Sequence, residues 1–448
     1  MPVTVDHEGL TIVVANEEQI DSIFIGDDAA LIGVSGVTPE GFPILPAGVK
    51  TYTRAGADGV VKQVLVESRG HGGAAAASVA FSQWSVSSAG DYQAGTSARY
   101  ATVAGPAEMA ILGCPHGYGW YRLTVESGSA RKVKLLFPNA ADRVHAYLDG
   151  EEIGIAGNGP GTTELISAGL KKGVHKLVLL AENMGRFSGG VALGEKKGLY
   201  GECYEVSSLK VGPAKLMRGD PIEVLTYRSP LWGISDGDTS SPDRVTWAIN
   251  HRRKTPIIVS LKGSSMLGLL LLGGKVVAFV DSAGPAYFTL TPEQLGKGAV
   301  QLQFAPISHG MGEAALKELG AGVEFFEGVA ALCAGSEMAF AKWEPPAASS
   351  FVAPKAEKAS GPKWWKASFT PGDADAPLYF DAAGLSKGQL YINGRHLCRY
   401  FVTAGREKIG PQQRYFVPRA FIRAKQPNEL MIFDESGESP TKARLVYG

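Results

Sequence analysis

The chain has 448 residues, with 44 Lys and Arg against 44 Asp and Glu and 45% hydrophobic residues. That length suits about three domains of roughly 150 residues each. The charge balance excludes a global field for nucleic acid or anionic lipid, and a neutral, carbohydrate-like partner fits it better.

Gly 57 and Pro 26 are dispersed rather than clustered, so they predict many short strands joined by turns. The opening "MPVTVDHEGLTIVVANEEQ" has no basic region followed by an apolar one, and no secretory signal is read there. Residues 1–105 alternate apolar and polar positions in "LTIVVAN", "SIFIG", "VKQVLVES" and "ARYATVAG", which predicts an N-terminal β domain. Stronger strands follow over 106–212: "GWYRLTVES", "RKVKLLFP", "DRVHAYLDGEEIGIA" and "GVHKLVLLAEN".

A middle β-sandwich is expected over 213–345. Its most apolar stretch, "SSMLGLLLLGGKVVAFV", is divided by glycines and Lys275 into two strand-sized pieces; it reads as a hairpin and is too short for a membrane span. "GEAALKELGAG", from Gly312 to Gly322, is the one convincing short helix. Residues 346–362 mix Pro, Ala, Ser and Lys without a period and read as a linker, and 363–448 form the last domain.

The three later blocks share a pattern of strand, tight turn, strand and closing strand. Its copies are "AYLDGEEIGI…LKKGVHKLVLLAEN", "LLLGGKVVAFV…LGKGAVQLQFAP" and "LYINGRHLCRYF…FIRAKQPNELMIFDE". Asp149-Gly150, Gly273-Gly274 and Asn393-Gly394 are two-residue turns that favour positive φ, so each copy predicts a β-hairpin. Cys114, Cys203, Cys333 and Cys398 lie far apart in sequence, outside any CxxC or CxxH, which predicts buried free thiols rather than a zinc ribbon or redox motif.

"YGWYRLTV", "HAYLDGEEIG", "LLAENMGRFSGG" and "KKGLYGE" together resemble the first jelly roll after the catalytic barrel in family 35 β-galactosidases. There the third word ends in "NYG", where this chain has "FSGG". The closing segment, with Tyr391 to Phe401, "GPQQRYFVP" and Asn428 to Asp434, is similar to the second jelly roll of the same enzymes, departing from it at Cys398 and Phe401. The resemblance implies an all-β chain of tandem β-sandwich, galactose-binding-like jelly rolls behind an N-terminal β domain. That family's chemistry needs two carboxylates about 5 Å apart on barrel strands. The sequence has no eightfold β/α alternation to supply them. Glu182 looks like an acid/base, but the resemblance places it in a jelly roll, where it ties down a loop.

Sugar recognition by a sandwich combines an aromatic platform with carboxylates, amides or Arg aimed at hydroxyls. The candidates are Trp364, Trp365, Trp232, Trp120 and Tyr118, with Glu182, Asn183 and Arg186 from the jelly-roll word. Alternation sends Trp364 and Trp365 to opposite faces, so one is expected in the core and the other exposed or at an interface. Asp236, Asp238 and Asp243 crowd "SDGDTSSPD", read either as a solvated turn or as a structural calcium site. The twelfth position from Asp236 is Trp247, not the Glu of an EF-hand. "GPQQRYFVP" is read as a strand bracketed by Pro411 and Pro418.

These readings favour a non-catalytic carbohydrate-recognition or scaffolding protein with a glycan or galactoside partner. Two alternatives stand beside it. One is a structural, self-assembling protein of a larger particle such as a phage virion; the other is the accessory subunit of a split β-galactosidase.

Overall fold

The computed structural model describes residues 3–7, 10–14, 16–38, 41–46, 49–66, 78–188, 194–224, 239–251, 254–261, 267–280, 287–296, 298–307, 313–355, 361–372, 377–404 and 407–447. Strands dominate, and among the described residues the longest helix is Glu313–Gly322. No described helix is long and apolar enough to cross a membrane. The chain divides into two compact units, Asp91–Trp343 and a second made of Met1–Gly90 with Glu344–Gly448.

In the unit Asp91–Trp343, a six-stranded antiparallel sheet runs in the order Ala101–Val103, Met338–Lys342, Tyr118–Ser127, Gly173–Glu182, Arg143–Leu148, Glu151–Gly157. It packs against a second sheet across a core that includes Tyr121, Leu123, Leu135, Leu177 and Leu179. Each such aliphatic side chain contributes about 1.5–3 kcal/mol when fully buried. The second sheet continues beyond this sandwich, in the order Leu165–Leu170, Arg131–Leu136, Tyr204–Ser208, Glu324–Ala331, Ile257–Ser260, Tyr287–Leu290. Its far half covers another core, of Trp247, Ile257, Val259, Leu270 and Phe304. A five-stranded sheet closes that core in the order Lys215–Arg218, Asp243–His251, Gly298–Pro306, Gly268–Leu272, Lys275–Val280. The helix Glu313–Gly322 packs on it, with Gly320 so close that an added Cβ would lie 2.6 Å from Ala214 Cβ and 3.0 Å from Val245 Cγ1.

The middle block is therefore an insertion. Two of its strands pair with strands of 106–212: Met338–Lys342 with Tyr118–Ser127, and Glu324–Ala331 with Tyr204–Ser208 on one side and with Ile257–Ser260 of its own block on the other. The reason is edge satisfaction: without Met338–Lys342, one edge of the strand Tyr118–Ser127 would present unpaired backbone groups.

The other unit is also built from separated segments. Its five-stranded sheet runs Ser85–Ser88, Lys363–Phe369, Asn428–Asp434, Lys387–Ile392, Arg395–Phe401, facing one ordered Arg414–Val417, Leu378–Asp381, Arg444–Tyr447, Ser78–Val79. Residues 78–88, read in sequence as part of the N-terminal domain, complete the C-terminal sandwich. Part of the segment read as a linker is tied in as well: Val86 and Val352 exchange both backbone hydrogen bonds, at 2.8 and 2.9 Å. A separate four-stranded sheet orders Ile23–Ile25, Ala29–Ile32, Thr51–Gly56 and Val61–Leu65.

All three sandwiches repeat one device. The expected hairpins are present, with φ of 52° and 92° at Asp149-Gly150, 58° and 81° at Gly273-Gly274, and 51° and 77° at Asn393-Gly394. Each hairpin shifts register two pairs from its turn, leaving Ile153, Val277 and Leu397 as the extra residue. Each of these side chains packs on its own sandwich core. In each copy the closing strand lies between the first strand and the hairpin, and the backbone N–H of the first turn residue donates to it: Asp149 to Lys176 at 2.9 Å, Gly273 to Gln301 at 2.8 Å and Asn393 to Glu429 at 2.9 Å. Asp149 and Asn393 also accept the backbone N–H of the same partner, at 2.8 and 3.0 Å.

Two predictions follow from this geometry. At Gly388 an added Cβ would sit 1.8 Å from the Phe433 carbonyl oxygen of the closing strand. Gly388→Ala is expected to cost about 3 kcal/mol or more in urea unfolding, and an unchanged midpoint would refute the close approach. The second concerns His175, whose Nδ1 lies 2.7 Å from Asp149 Oδ2 and whose Nε2 lies 2.9 Å from the Lys171 carbonyl. The Asp149 hydrogen bond, then the carbonyl, raise its pKa above the ordinary imidazole value. The contribution is complete below the unfolded value of about 6.5 and is lost as pH rises through the higher folded value. Thermal midpoints of the native chain and His175→Gln should converge as pH is raised from about 5.5 to 8.5. Parallel pH profiles would show that the imidazolium plays no such part.

Candidate functional site

Glu182, Asn183 and Arg186 meet at one loop end of the first sandwich. The strand Gly173–Glu182 finishes there beside the start of Arg143–Leu148, and the short pair Ala140–Ala141 with Gly198–Leu199 closes the corner. The site is centred on Lys197, whose side chain is 2% exposed. Its Nζ lies 2.6 Å from Asp142 Oδ1 and 2.8 Å from Glu195 Oε2. The other oxygen of Asp142 accepts the Met184 N–H at 2.8 Å, so one carboxylate joins the lysine to the strand end. Gly198 follows Lys197 with φ +86°, and a Cβ there would come 2.2 Å from Tyr121 Oη and 2.5 Å from Met109 Cγ. The Lys-Gly of "KKGLYGE" thus combines a buried charge with a position only glycine fits.

Asn183 is a loop clamp. Its Nδ2 donates to the Pro115 carbonyl at 2.7 Å, its Oδ1 accepts the Gly185 N–H at 2.9 Å, and its backbone N–H donates to Gly117 at 2.8 Å. Glu182 is 1% exposed, and its backbone carbonyl accepts the Asp142 N–H at 3.0 Å. Arg143 donates from Nη1 to the carbonyls of Asn158 and Pro160 at 3.2 and 2.8 Å. At the rim, Arg186 ion-pairs with Glu108 and donates to the Glu195 carbonyl at 2.7 Å. Beside it Phe187 is 63% exposed, while its backbone N–H donates to Glu195 Oε1 at 3.0 Å. The interior of this loop end is tied by hydrogen bonds, and its rim carries the Arg186 guanidinium, engaged by Glu108 and Glu195, followed in sequence by the exposed ring of Phe187.

Four of the remaining aromatic candidates, Tyr118, Trp120, Trp364 and Trp365, are buried, Tyr118 directly opposite Glu182 on the neighbouring strand. Trp120 stacks on Tyr92 with centroids 5.4 Å apart, and Tyr118 packs on Trp343 at 5.4 Å. Trp364 and Trp365 do take opposite faces of their strand, but both are 5% exposed. Trp364 lies against Phe433, at 5.1 Å, and Tyr391, whereas Trp365 belongs to the C-terminal core. Of the two places expected for the second ring, exposed or at an interface, the exposed one is ruled out by the burial of Trp364, and none of these four rings offers a face to a pyranose. Trp232, Asp236 and Asp238 lie outside the described residues. Asp243 is exposed, and its Oδ1 faces Arg218 Nε at 3.5 Å.

Sequence reasoning missed three contributors: Lys197, Asp142 and Phe187. Lys197 stood inside a quoted word, but a lysine beside glycine in a polar loop reads as solvated unless its carboxylates are known. Phe187 falls in "FSGG", where the chain departs from "NYG", but an aromatic residue just beyond a strand end is itself a signal. The cysteines were expected as buried free thiols; Cys114, Cys203 and Cys333 are buried and Cys398 is half-buried. Cys203 and Cys333 also meet, with Glu202, in a cluster of three donor groups.

Breaking the Lys197 cluster should be costly, because removing one partner leaves a buried charge. Lys197→Met is expected to lose about 3–5 kcal/mol in denaturant unfolding, and pairing it with Asp142→Asn should recover part of that loss. Strict additivity of the two variants would argue against the ion pair.

Comparison with known proteins agrees with the architecture. Residues 106–208 match the model for the first all-beta domain of beta-galactosidase, and residues 362–428 match the model for the beta-galactosidase galactose-binding domain. Beta-galactosidase 12 of Oryza sativa subsp. japonica is 37% identical over 78 residues, covering 17% of this chain and 8% of that protein. Beta-galactosidase 11 of the same organism is 37% identical over 84 residues, 18% of this chain and 10% of its own length. The chain spans a tenth or less of these relatives. Among solved structures, a β-glucuronidase from Ruminococcus gnavus in complex with uronic isofagomine is 15% identical, covering 53% of this chain and 42% of that one with a TM-score of 0.22. Two stretches of the chain thus resemble accessory domains of β-galactosidases, 106–208 the first all-beta domain and 362–428 the galactose-binding domain, and both stretches are built mainly of β-strands.

Proposed function

We propose that this chain is a non-catalytic carbohydrate-recognition or scaffolding protein, and that the rim formed by Arg186 and Phe187 is its sugar-facing surface. The observation that carries the reading is the pairing of a 63% exposed aromatic ring with a guanidinium on a loop end held rigid from within. An exposed aromatic ring stacks on the apolar face of a pyranose, and guanidinium N–H groups donate to its hydroxyls. The match of residues 362–428 to a galactose-binding domain makes galactosides the first ligands to try. Two carboxylates of the site hold loops: the buried Asp142 with Lys197 and Met184, and the half-buried Glu195 with Lys197 and Phe187.

Calorimetry with galactose, lactose and a galactan oligomer tests the reading. Binding is expected at millimolar or tighter concentrations, with Phe187→Ala weakening it by about tenfold, the loss of roughly 1.4 kcal/mol of stacking, at an unchanged melting temperature. Absence of heat and of any chemical shift change at millimolar ligand would sink it. Hydrolysis of a galactoside by the chain alone would overturn the non-catalytic part.

A second reading, a structural component of a larger assembly, is favoured by the four-stranded N-terminal sheet. There Ile25 is 87% exposed, Leu65 65% and Val60 51%, apolar area that a lone domain gains nothing by showing. Light scattering that shows a defined oligomer, dissociated by Ile25→Lys, would favour this reading over simple glycan recognition.

A further inference from the structure

Cys203 and Cys333 lie at the two points where the chain leaves and re-enters the first sandwich around the inserted one. The strand Tyr204–Ser208 carries the chain out and Glu324–Ala331 brings it back beside the first, Tyr204 pairing with Ala331. Just beyond that pair, Leu332 N–H donates to the Cys203 carbonyl at 2.9 Å. The two thiols meet there with sulfurs 3.5 Å apart, although 130 positions separate them in sequence. Both belong to the first sandwich core; Cys203 is 0% and Cys333 6% exposed.

We propose that Cys203 and Cys333 are an oxidisable pair whose disulfide staples the neck of the inserted sandwich. The neighbouring backbone is already fixed for it. One carboxylate, Glu202, accepts the N–H groups of Cys203, Cys333 and Ala334 at 3.1, 2.6 and 3.0 Å, locking both cysteine backbones in place. A metal fits the same cluster less well. Glu202 has most of its lone pairs committed, only three donors converge where zinc takes four, and the surrounding core penalises thiolates. A disulfide is neutral and suits an apolar core.

The oxidant is a low-molecular-weight disulfide, such as oxidised glutathione. Cys333, beneath the exposed residues Ala334 and Gly335, is the thiol that reacts first. Its thiolate attacks one sulfur of the oxidant, breaking that S–S bond and releasing one thiol with the proton Cys333 has lost. The Cys203 thiolate then attacks the Cys333 sulfur of the mixed disulfide, forming the Cys203–Cys333 bond and expelling the second thiol. Two thiols are oxidised and one disulfide is reduced. The neighbouring Cys333 and burial both push the Cys203 pKa upward, so the reaction is slow in the folded chain at neutral pH and faster during refolding or at alkaline pH.

The test is to refold the full chain in a buffer of reduced and oxidised glutathione and in one with excess reductant. Expected are the loss of two hydrogens from the intact mass and a proteolytic fragment joining the Cys203 and Cys333 peptides. A rise in melting temperature on the order of 10 °C should accompany them, because the closed loop exceeds a hundred residues. Cys114→Ala and Cys398→Ala should keep the cross-link, and Cys333→Ala should lose it. Should Cys333→Ala fail to fold, the fragment map of the unsubstituted chain still decides. Full alkylation of both cysteines after denaturing the oxidised sample would overturn the proposal. So would a cross-link to another cysteine, a bond without a melting shift, or one zinc per chain that protects the thiols.

Discussion

The fold depends on one repeated clasp: a two-residue turn with positive φ whose first N–H is held by the closing strand. A type I′ turn gives the flanking strands the right-handed twist they need, but an isolated hairpin is marginal in water. The backbone bonds from Asp149 to Lys176, Gly273 to Gln301 and Asn393 to Glu429 fix each hairpin to a third strand. The bulge two pairs away then turns Ile153, Val277 and Leu397 into their cores. Turn, bulge and closing strand thus set the register of each sandwich together, and a one-residue slip would disturb all three. The middle copy relies on the backbone alone, since Gly273 has no side chain to return the second bond made by Asp149 and Asn393.

Given that clasp, the remaining problem is what to do with sheet edges. The chain solves it by nesting. Ser78–Val79 and Ser85–Ser88 wait for partners that are made only from Val352 onward, and Tyr118–Ser127 is completed by Met338–Lys342. The inserted sandwich shares a continuous sheet with the first through Tyr204–Ser208 and Glu324–Ala331. Such long-range pairings pay loop-closure entropy before they return stability, so these sandwiches belong to the slower end of folding topologies. The neck beside Cys203 and Cys333 closes one of these long loops, and the proposed cross-link there acts on the unfolded chain more than on the native contacts.

Local features were legible in the sequence because their causes are local. Asp-Gly, Gly-Gly and Asn-Gly can make few other turns, and the helix Glu313–Gly322 announced itself by composition and its glycine stop. What stayed hidden depends on partners distant in sequence. Strand alternation placed Trp364 and Trp365 on opposite faces correctly, but nothing in "KWWKASF" tells that Phe433 and Tyr391 cover the outer one. Pairings across the linear division, such as Ser85–Ser88 with Lys363–Phe369, were not legible, because pairing partners are chosen by exposed edges rather than by proximity along the chain. Lys197 shows the same limit in the loop site: its burial is set by Asp142 and Glu195, and only the second is a sequence neighbour.

The way these domains use buried charge bears on recognition against catalysis. A catalytic carboxyl must change protonation or bond partner during the reaction, so its surroundings cannot hold it completely. Asp142 and Glu195 are gripped on both oxygens by a buried lysine and by backbone N–H groups. In the C-terminal sandwich Asp434 accepts from Ser386 N–H and Oγ, Tyr400 Oη, Ser436 N–H and Glu438 N–H, while Lys387 is buried against Glu435. Carboxylates held in this way fix the loops that they join. On the proposed reading, Arg186 and Phe187 stand on a loop end braced by buried hydrogen bonds, so binding a neutral polar ligand there costs less ordering than it would on an unbraced loop.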